Sequence, residues 1–391
     1  MSSRRQRSYR GLLEQHGALP RLAAENHTVA ITASQEITGS EFGRVARRLS
    51  SARAVARRLG LHYVQQEDLT WRRLRRGKGF SYVREDGAAI RDRTTVQRLA
   101  SLAVPPAYED VRYAPDPAAH LQAVGRDAAG RLQYRYHPDW QKVRETRKAR
   151  RLVRLAQVLP SIRRSIVQHL GKSEPTREFA YAAVIELIAR SAIRPGNDNY
   201  ARLHRTHGAT TLLKSHVTIE ADTLTLTFPA KGNKKVQKEV DARRLADALA
   251  VLRELPGRRL FQYRDDGGAV HPVRSSEVNR FLRDMAGVKI SLKDFRTLLA
   301  SAAALETLAR TQPATSVRAR RKQVLDAMRA TAENLHNTPA ICRKSYVHEA
   351  IVTAFEEGIL ERFADALKKS RSPVKREQIL AQVVATAAAA T

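Results

Sequence analysis

The chain has 391 residues, 42% of them hydrophobic, and carries 70 Lys+Arg against 39 Asp+Glu, a formal charge of +31. At roughly 150 residues per domain this length holds two or three domains with real cores, which excludes a wholly disordered chain; a single cysteine excludes a disulfide framework and a thiolate zinc module and fits a reducing compartment. No apolar run can span a bilayer and the N-terminus lacks the apolar core of a secretory signal, so the charge points to a polyanion, with nucleic acid ahead of a membrane surface because the cations are spread through the chain.

Residues 1–57 form a basic N-terminal extension, in which 44–58 read as a basic helix with Val45, Leu49 and Val55 at helical spacing. Residues 58–141 change to short alternating runs, LHYVQQ, GFSYVREDGAAI and DVRYAPD, punctuated by Asp86-Gly87 and Pro105-Pro106, and predict a small β-rich domain. Its segment GRDAAGRLQYRYHPDW interleaves Arg126, Arg131 and Arg135 with Tyr134, Tyr136 and Trp140, a pattern that suits a nucleic-acid surface as well as an amphipathic strand. A basic connector, QKVRETRKARR, leads into a mainly helical domain spanning 142–366, with a buried helix over 180–193. After Arg194-Pro195-Gly196 the runs SHVTIE, TLTLTF and KVQKEV predict a three-stranded meander, with Lys231 at the tip of the second hairpin. Helices resume from Asp241. Arg296 falls at the start of an apolar helix, and Thr338-Pro339 opens another, PAICRKSYVHEAI, on which Arg343 and Tyr346 share a face. The tail, 367–391, is basic and then Ala-rich, and is expected to be frayed or a loosely packed helix.

No Walker loop, nucleophile elbow or paired carboxylate box is present, and His204 and His207 lack companions at ligand spacing. Cys342 reads as a small buried side chain. What remains is a dispersed set of cations in rigid contexts and one tyrosine. Singly, each has an ordinary structural role. In order, however, Arg194, Lys231, Lys293-Asp294-Phe295-Arg296, Asn337 and Tyr346 resemble the active-site series of type IB DNA topoisomerases of the bacterial, poxvirus-like branch. The similarity is carried by IRPGNDNY, GATTLLKSHV, FPAKGNKK, LPGRRLFQY, KDFRT and NTPAICRKSY. Upstream, GFSYV, LAVPPAYEDV and HLQAVGRDAAGRLQYRYHPDW resemble the family's N-terminal DNA-clamping domain.

The resemblance implies an α+β protein: a β-rich domain and a mainly helical catalytic domain with a three-stranded antiparallel meander, closing as a C-shaped clamp on double-stranded DNA. It implies Tyr346 as the nucleophile, Arg194 and Arg296 as clamps on the phosphate, Lys231 as general acid and Asn337 as a hydrogen-bond donor where poxvirus enzymes have His. It also implies DNA contacts from Gln133, Tyr134 and Tyr136; Arg126, Arg131, Arg135, Arg343 and Lys344 join them as DNA-binding cations. Neither ATP nor a metal is expected, nor an obligate protein partner or a membrane; the expected state is a cytoplasmic, nucleoid-associated monomer. Ala230, Pro195 and Leu298 depart from the usual family residues without removing a catalytic group.

The chemistry stands without the resemblance. A phosphodiester gains concentrated charge in its transition state, and fixed guanidinium groups stabilise that state preferentially. A tyrosine is mostly protonated at neutral pH, so nearby cations favour its phenolate, and an alkoxide leaving group needs a proton that an ammonium can give. The rival readings are a tyrosine recombinase, which typically has HisxxArg where this chain has Lys293-Asp294-Phe295-Arg296, and a non-enzymatic architectural DNA-binding protein, which needs no such ordered set.

Overall fold

Helix α1 (Ala52–Arg58) is the first element of the computed structural model, which describes residues 51–370 and 372–389. The Ser51 hydroxyl accepts from Ala54 N at 3.0 Å and so caps α1; the part of the expected basic helix before Ser51 lies outside the described residues. Next come five antiparallel strands, β1 (Trp71–Arg76), β2 (Gly79–Val83), β3 (Glu109–Tyr113), β4 (Leu121–Arg126) and β5 (Leu132–Tyr136), in the sheet order β2-β1-β3-β4-β5. Helix α2 (Arg93–Ser101), capped by Asp92, packs Leu99 with Tyr82, Ile90, Val111, Tyr113 and Ala123 into a small core.

Two expectations change here. LHYVQQ is not a strand: His62 makes a single bridge to Ala119. The strand that does form, WRRLRR, hides its alternation under arginines. Arg73 donates to the carbonyls of Val104, Pro105 and Tyr108 and lies 4.1 Å over the Phe80 ring, so it serves the core side of the sheet as a large amphipathic group.

The supposed basic connector is also a helix. It forms the first turns of α3 (Trp140–Leu170), whose buried Val143, Ala149, Leu152, Val153, Ala156 and Leu159 recur at helical spacing while the arginines take the other face. Helix α4 (Arg177–Ser191) is apolar nearly all round and accordingly central to the main core. It ends on Ala192 in the left-handed region (φ 55°), which turns the chain toward Arg194 and α5 (Asp198–His204). Strands β6 (Val217–Glu220), β7 (Thr223–Ala230) and β8 (Lys234–Asp241) pair antiparallel in the order β6-β7-β8. Helix α6 (Arg243–Arg253) and a hairpin of β9 (Gln262–Arg264) and β10 (Val270–Pro272) follow. The remaining helices are α7 (Ser275–Ala286), α8 (Leu292–Ala309), α9 (Val317–Leu335), α10 (Pro339–Ser345), α11 (Glu349–Glu356), α12 (Glu361–Lys369) and α13 (Pro373–Ala389).

The described part of the tail is not loosely packed: residues 373–389 form one helix. Helix α13 buries Leu380, Ala381, Val383 and Val384 in the main core. Glu377 accepts two hydrogen bonds from Arg163 of α3, at 2.9 and 2.6 Å, and Arg376 donates to Glu306 of α8 at 3.0 Å. Its small side chains let it lie close against both helices. No described helix is long and apolar enough to cross a membrane.

Candidate active site

Three elements deliver the central side chains. The turn after α4 holds Arg194. Here the Arg194 carbonyl accepts from Ala209 N at 2.8 Å, and that of Pro195 accepts from the main chain and hydroxyl of Thr210 at 2.8 and 2.9 Å. Helix α8 supplies Arg296; its N-terminus is fixed by Asp294 Oδ2, which accepts from Ser291 N at 2.8 Å and Ser291 Oγ at 2.9 Å. The α9–α10 junction supplies Asn337, and the far end of α10 supplies Tyr346. Helix α9 stops on His336 in the left-handed region (φ 50°), and Thr338 caps α10, accepting from Ile341 N at 3.3 Å with Pro339 as the first helical residue.

These groups converge. Arg194 Nη2 donates to Asn337 Oδ1 at 2.6 Å. The Arg296 guanidinium carbon lies 4.9 Å from the centre of the Tyr346 ring, and its Nη2 donates to Leu335 O at 3.3 Å. Arg296 is only 2% exposed, yet its Nε is buried without a hydrogen-bond partner. Burial opposes ionisation of the Tyr346 phenol, but Arg296, Arg194 and Lys293 together outweigh it, so the Tyr346 pKa lies below its ordinary value. Arg194, His207, Phe228, Arg296 and His336 line one narrow recess, and no lining residue is acidic. The arrangement is a cationic cradle beside a phenol biased toward phenolate.

Helix PAICRKSYVHEAI is not continuous, which corrects one expectation. Helix α10 ends at Ser345, Tyr346 stands in the break (φ −120°, ψ −46°), and α11 starts after His348, whose Nδ1 accepts from Ala350 N at 3.1 Å. Arg343 therefore does not join the phenol; it pairs with Glu349 at 3.1 Å on the surface, and Lys344 is also exposed. Lys231 occupies the β7–β8 turn, exposed, with no hydrogen bond or ion pair to the cluster among the described residues. Cys342 is buried and its thiol is pushed up to about 11 by burial, so it stays protonated.

Two basic groups in the cradle escaped the sequence reading. Lys238 of β8 donates to Asn334 O at 2.9 Å, and burial first and Arg296 second depress its pKa. His336 is depressed by burial, then by Lys238, Arg296 and Arg194. The signal for Lys238 was period two: it shares a strand face with the buried Val236 and Val240.

In the N-terminal sheet, Tyr134 and Tyr136 are 46% and 40% exposed and stack at 6.2 Å, a distance consistent with their alternate positions on β5. Tyr136 in turn stacks on Trp140 at 6.0 Å. Tyr63, His120 and Arg147, which sequence reasoning missed, complete this ladder around Trp140 at 5.4, 4.4 and 5.2 Å. The polar residues of the same segment are partly engaged within the fold. Arg126 donates to Gly130 O, Arg131 Nε and Gln133 Nε2 to Asp127 Oδ2, and Arg135 to Ala103 O. No group of three His, Cys, Asp or Glu able to hold a metal occurs among the described residues.

Comparison with known proteins identifies the family. Residues 137–372 match the family described as eukaryotic DNA topoisomerase I, catalytic core, and residues 79–127 match that described as bacterial DNA topoisomerase IB, N-terminal domain. The chain is 28% identical over 259 residues to DNA topoisomerase 1B of Acanthamoeba polyphaga mimivirus, covering 64% of this chain and 77% of that protein. To DNA topoisomerase I of monkeypox virus and DNA topoisomerase 1B of vaccinia virus (strain Copenhagen) it is 23% identical over 251 residues, covering 63% of this chain and 75% of each.

Proposed function

The chain belongs to the type IB DNA topoisomerase family, and from that premise we propose that it relaxes supercoiled DNA without ATP, by transient single-strand cleavage, rotation and religation. The observation that carries the mechanism is the buried Arg296, with an unpartnered Nε, set against Tyr346. A guanidinium held dry and incompletely bonded is costly in the free protein and well matched to a non-bridging phosphate oxygen.

In the proposed reaction the Tyr346 phenol releases its proton to water, its phenolate oxygen bonds to phosphorus and the bond to the 5′ oxygen breaks, leaving a 3′-phosphotyrosyl ester. Arg194 and Arg296 take the charge of the phosphorane, and Asn337, already bonded to Arg194, orients that guanidinium and offers its amide to an oxygen. Lys231 gives its proton to the departing 5′ oxygen; the β7–β8 turn would bring it down when DNA fills the cradle. The ester conserves the energy of the broken bond, so religation needs no nucleotide, and the guanidiniums supply the positive charge without a metal. Tyr134, Tyr136 and Gln133 would meet the duplex from the N-terminal sheet, which with the helical domain forms a clamp acting as a monomer. Arg126, Arg131, Arg135, Arg343 and Lys344 would add phosphate contacts. A cytoplasmic site on the bacterial chromosome fits this reading.

The test is relaxation of negatively and positively supercoiled plasmid in EDTA without ATP. Both signs should relax, and Tyr346→Phe should form no covalent complex; retained activity in that variant sinks the assignment. Lys231→Ala should slow cleavage, and a 5′-thio leaving group, which needs no proton, should rescue it.

A further inference from the structure

We propose that Lys148 and Ser301 are positioning residues that fix the main chain carrying Tyr346, and that they do so before DNA arrives. The proposal rests on the reading of Tyr346 as nucleophile.

Tyr346 lies in a break between helices, where intrahelical bonds cannot hold every peptide group. Its own N–H and that of Val347 both reach Cys342 O, at 3.0 and 2.9 Å. The carbonyls and the next N–H point elsewhere, and side chains from distant helices meet them. Ser301 Oγ donates to Tyr346 O at 3.2 Å and accepts from His348 N at 3.2 Å, so one hydroxyl spans the peptide groups on both sides of Val347. Lys148 Nζ donates to the intervening Val347 O at 2.9 Å. Ser301 is fully buried and sits farther along the helix that carries Arg296. One rigid element therefore sets both the guanidinium and the backbone of the phenol.

Lys148 is held in turn. Glu145 Oε2 lies 2.9 Å from its ammonium, an ion pair without hydrogen-bond alignment. The His348 imidazole, 4% exposed, has Nδ1 accepting from Ala350 N, which leaves the proton on Nε2 to donate to Glu145 O at 3.2 Å. Residues on α3 and residues just past the nucleophile are thus bonded both ways.

Helix α3 begins at Trp140, the base of the aromatic ladder, about 12 Å of helix before Lys148. One helix links the sheet proposed to grip the duplex to the peptide that carries the phenol. Ser301 is fully buried with its hydroxyl engaged by main-chain groups, and the Lys148 ammonium is engaged by Val347 O and Glu145, so both act through the main chain around Tyr346.

The experiment is single-turnover cleavage of a short duplex at saturating protein, with duplex affinity measured separately in the Tyr346→Phe background. Lys148→Met and Ser301→Ala should each slow cleavage about 10- to 100-fold, the scale on which a misplaced nucleophile costs rate. Religation should slow in the same proportion, and Kd should stay within about two-fold. Lys148→Arg, which can still reach a carbonyl, should restore most of the rate. Thermal unfolding identifies any variant that fails to fold, and Lys148→Arg and Ser301→Ala then decide the matter. Wild-type cleavage at saturation in either deletion, or a rate loss matched by an equal loss of affinity, overturns the proposal. If Tyr346→Phe itself still forms a covalent adduct, the nucleophile assignment fails instead, so the two failures are distinguishable.

Discussion

At Arg296 a cost to the fold coincides with the role proposed for its guanidinium in the chemistry. Its guanidinium is removed from water, one nitrogen has no partner, and Arg194 and Lys238 add like charge nearby. An unsatisfied buried polar group costs about 1–3 kcal/mol, more when charged. The carbonyl that Arg296 bonds, Leu335 O, also accepts from Asn337 Nδ2 at 3.2 Å, so removing the guanidinium leaves it satisfied. Arg296→Met should therefore abolish cleavage while leaving the thermal midpoint unchanged or raised by a few degrees. A midpoint several degrees lower in calorimetry would show that the guanidinium held the fold. His348 gives a second prediction. Burial, then Lys148, pushes its pKa down to about 4, against the combined pull of the Glu145 carbonyl and Glu349. The unfolded chain binds this proton near pH 6.5, so the stabilisation is complete above that value and declines as pH falls toward 4, by about 3 kcal/mol in all. His348→Asn keeps the helix cap and cannot titrate; its urea-unfolding stability should lose much of the slope between pH 6.5 and 4. Arg194, Arg296, Asn337 and Tyr346 stood out through their order, which resembles the type IB topoisomerase series; a Pro-Gly turn, an apolar helix and a Thr-Pro cap mark where they fall but would not single them out alone. Lys148 and Ser301 carried no such signal, since their partners at Val347 and Tyr346 lie far away in sequence.

Among elements, the crossing of the 194–196 turn over the 208–211 segment decides where Arg194 points. The two backbones touch at Gly208: a Cβ there would sit 2.5 Å from Arg194 O, 2.6 Å from Gly196 N and 2.7 Å from Gly196 Cα. All three are main-chain atoms, so no side chain can rotate out of the way. Gly208→Ala must push the turns apart, with a cost of about 1–3 kcal/mol or more and a displaced guanidinium. The expected result is a lower urea midpoint together with slower cleavage. Gly79→Ala is the control; its nearest contact is 3.9 Å, and its stability should stay within about 0.5 kcal/mol of the parent. Elements with one clean period were legible: the apolar α4, and the alternating β7, whose burial alternates along its whole length. Those that failed did so for physical reasons. Arginines obscured the periods of β1 and of the first turns of α3, and small residues made α13 look featureless. The peptide groups freed by the break at Tyr346 are met by tertiary bonds from α8 and α3, to which local propensity is blind.

At the scale of the whole molecule, charge governs behaviour more than any one contact. Even if every one of the 39 acids paired with a cation, 70 − 39 = 31 lysines and arginines would lack a partner. The cradle repeats this imbalance locally, with Arg194 and Arg296 in a recess lined by no acid. Such a surface repels itself in the free protein and is relieved by a duplex, whose phosphates exchange condensed counterions for protein cations. Affinity should then fall linearly on a log–log plot against salt. If 6–10 phosphates are neutralised, the loss between 50 and 200 mM is roughly 10³- to 10⁵-fold. The residue types separate within that slope. Lys344→Ala removes an exposed cation and should lower the slope by about one while weakening binding at every sequence alike. Tyr134→Ala removes an exposed ring and should weaken binding with the slope unchanged, since a packing contact releases no counterion. Fluorescence anisotropy on one duplex across a potassium chloride series measures both. An affinity indifferent to salt would mean that the excess charge does not face the DNA, and the binding surface would then have to be sought where the protein is uncharged.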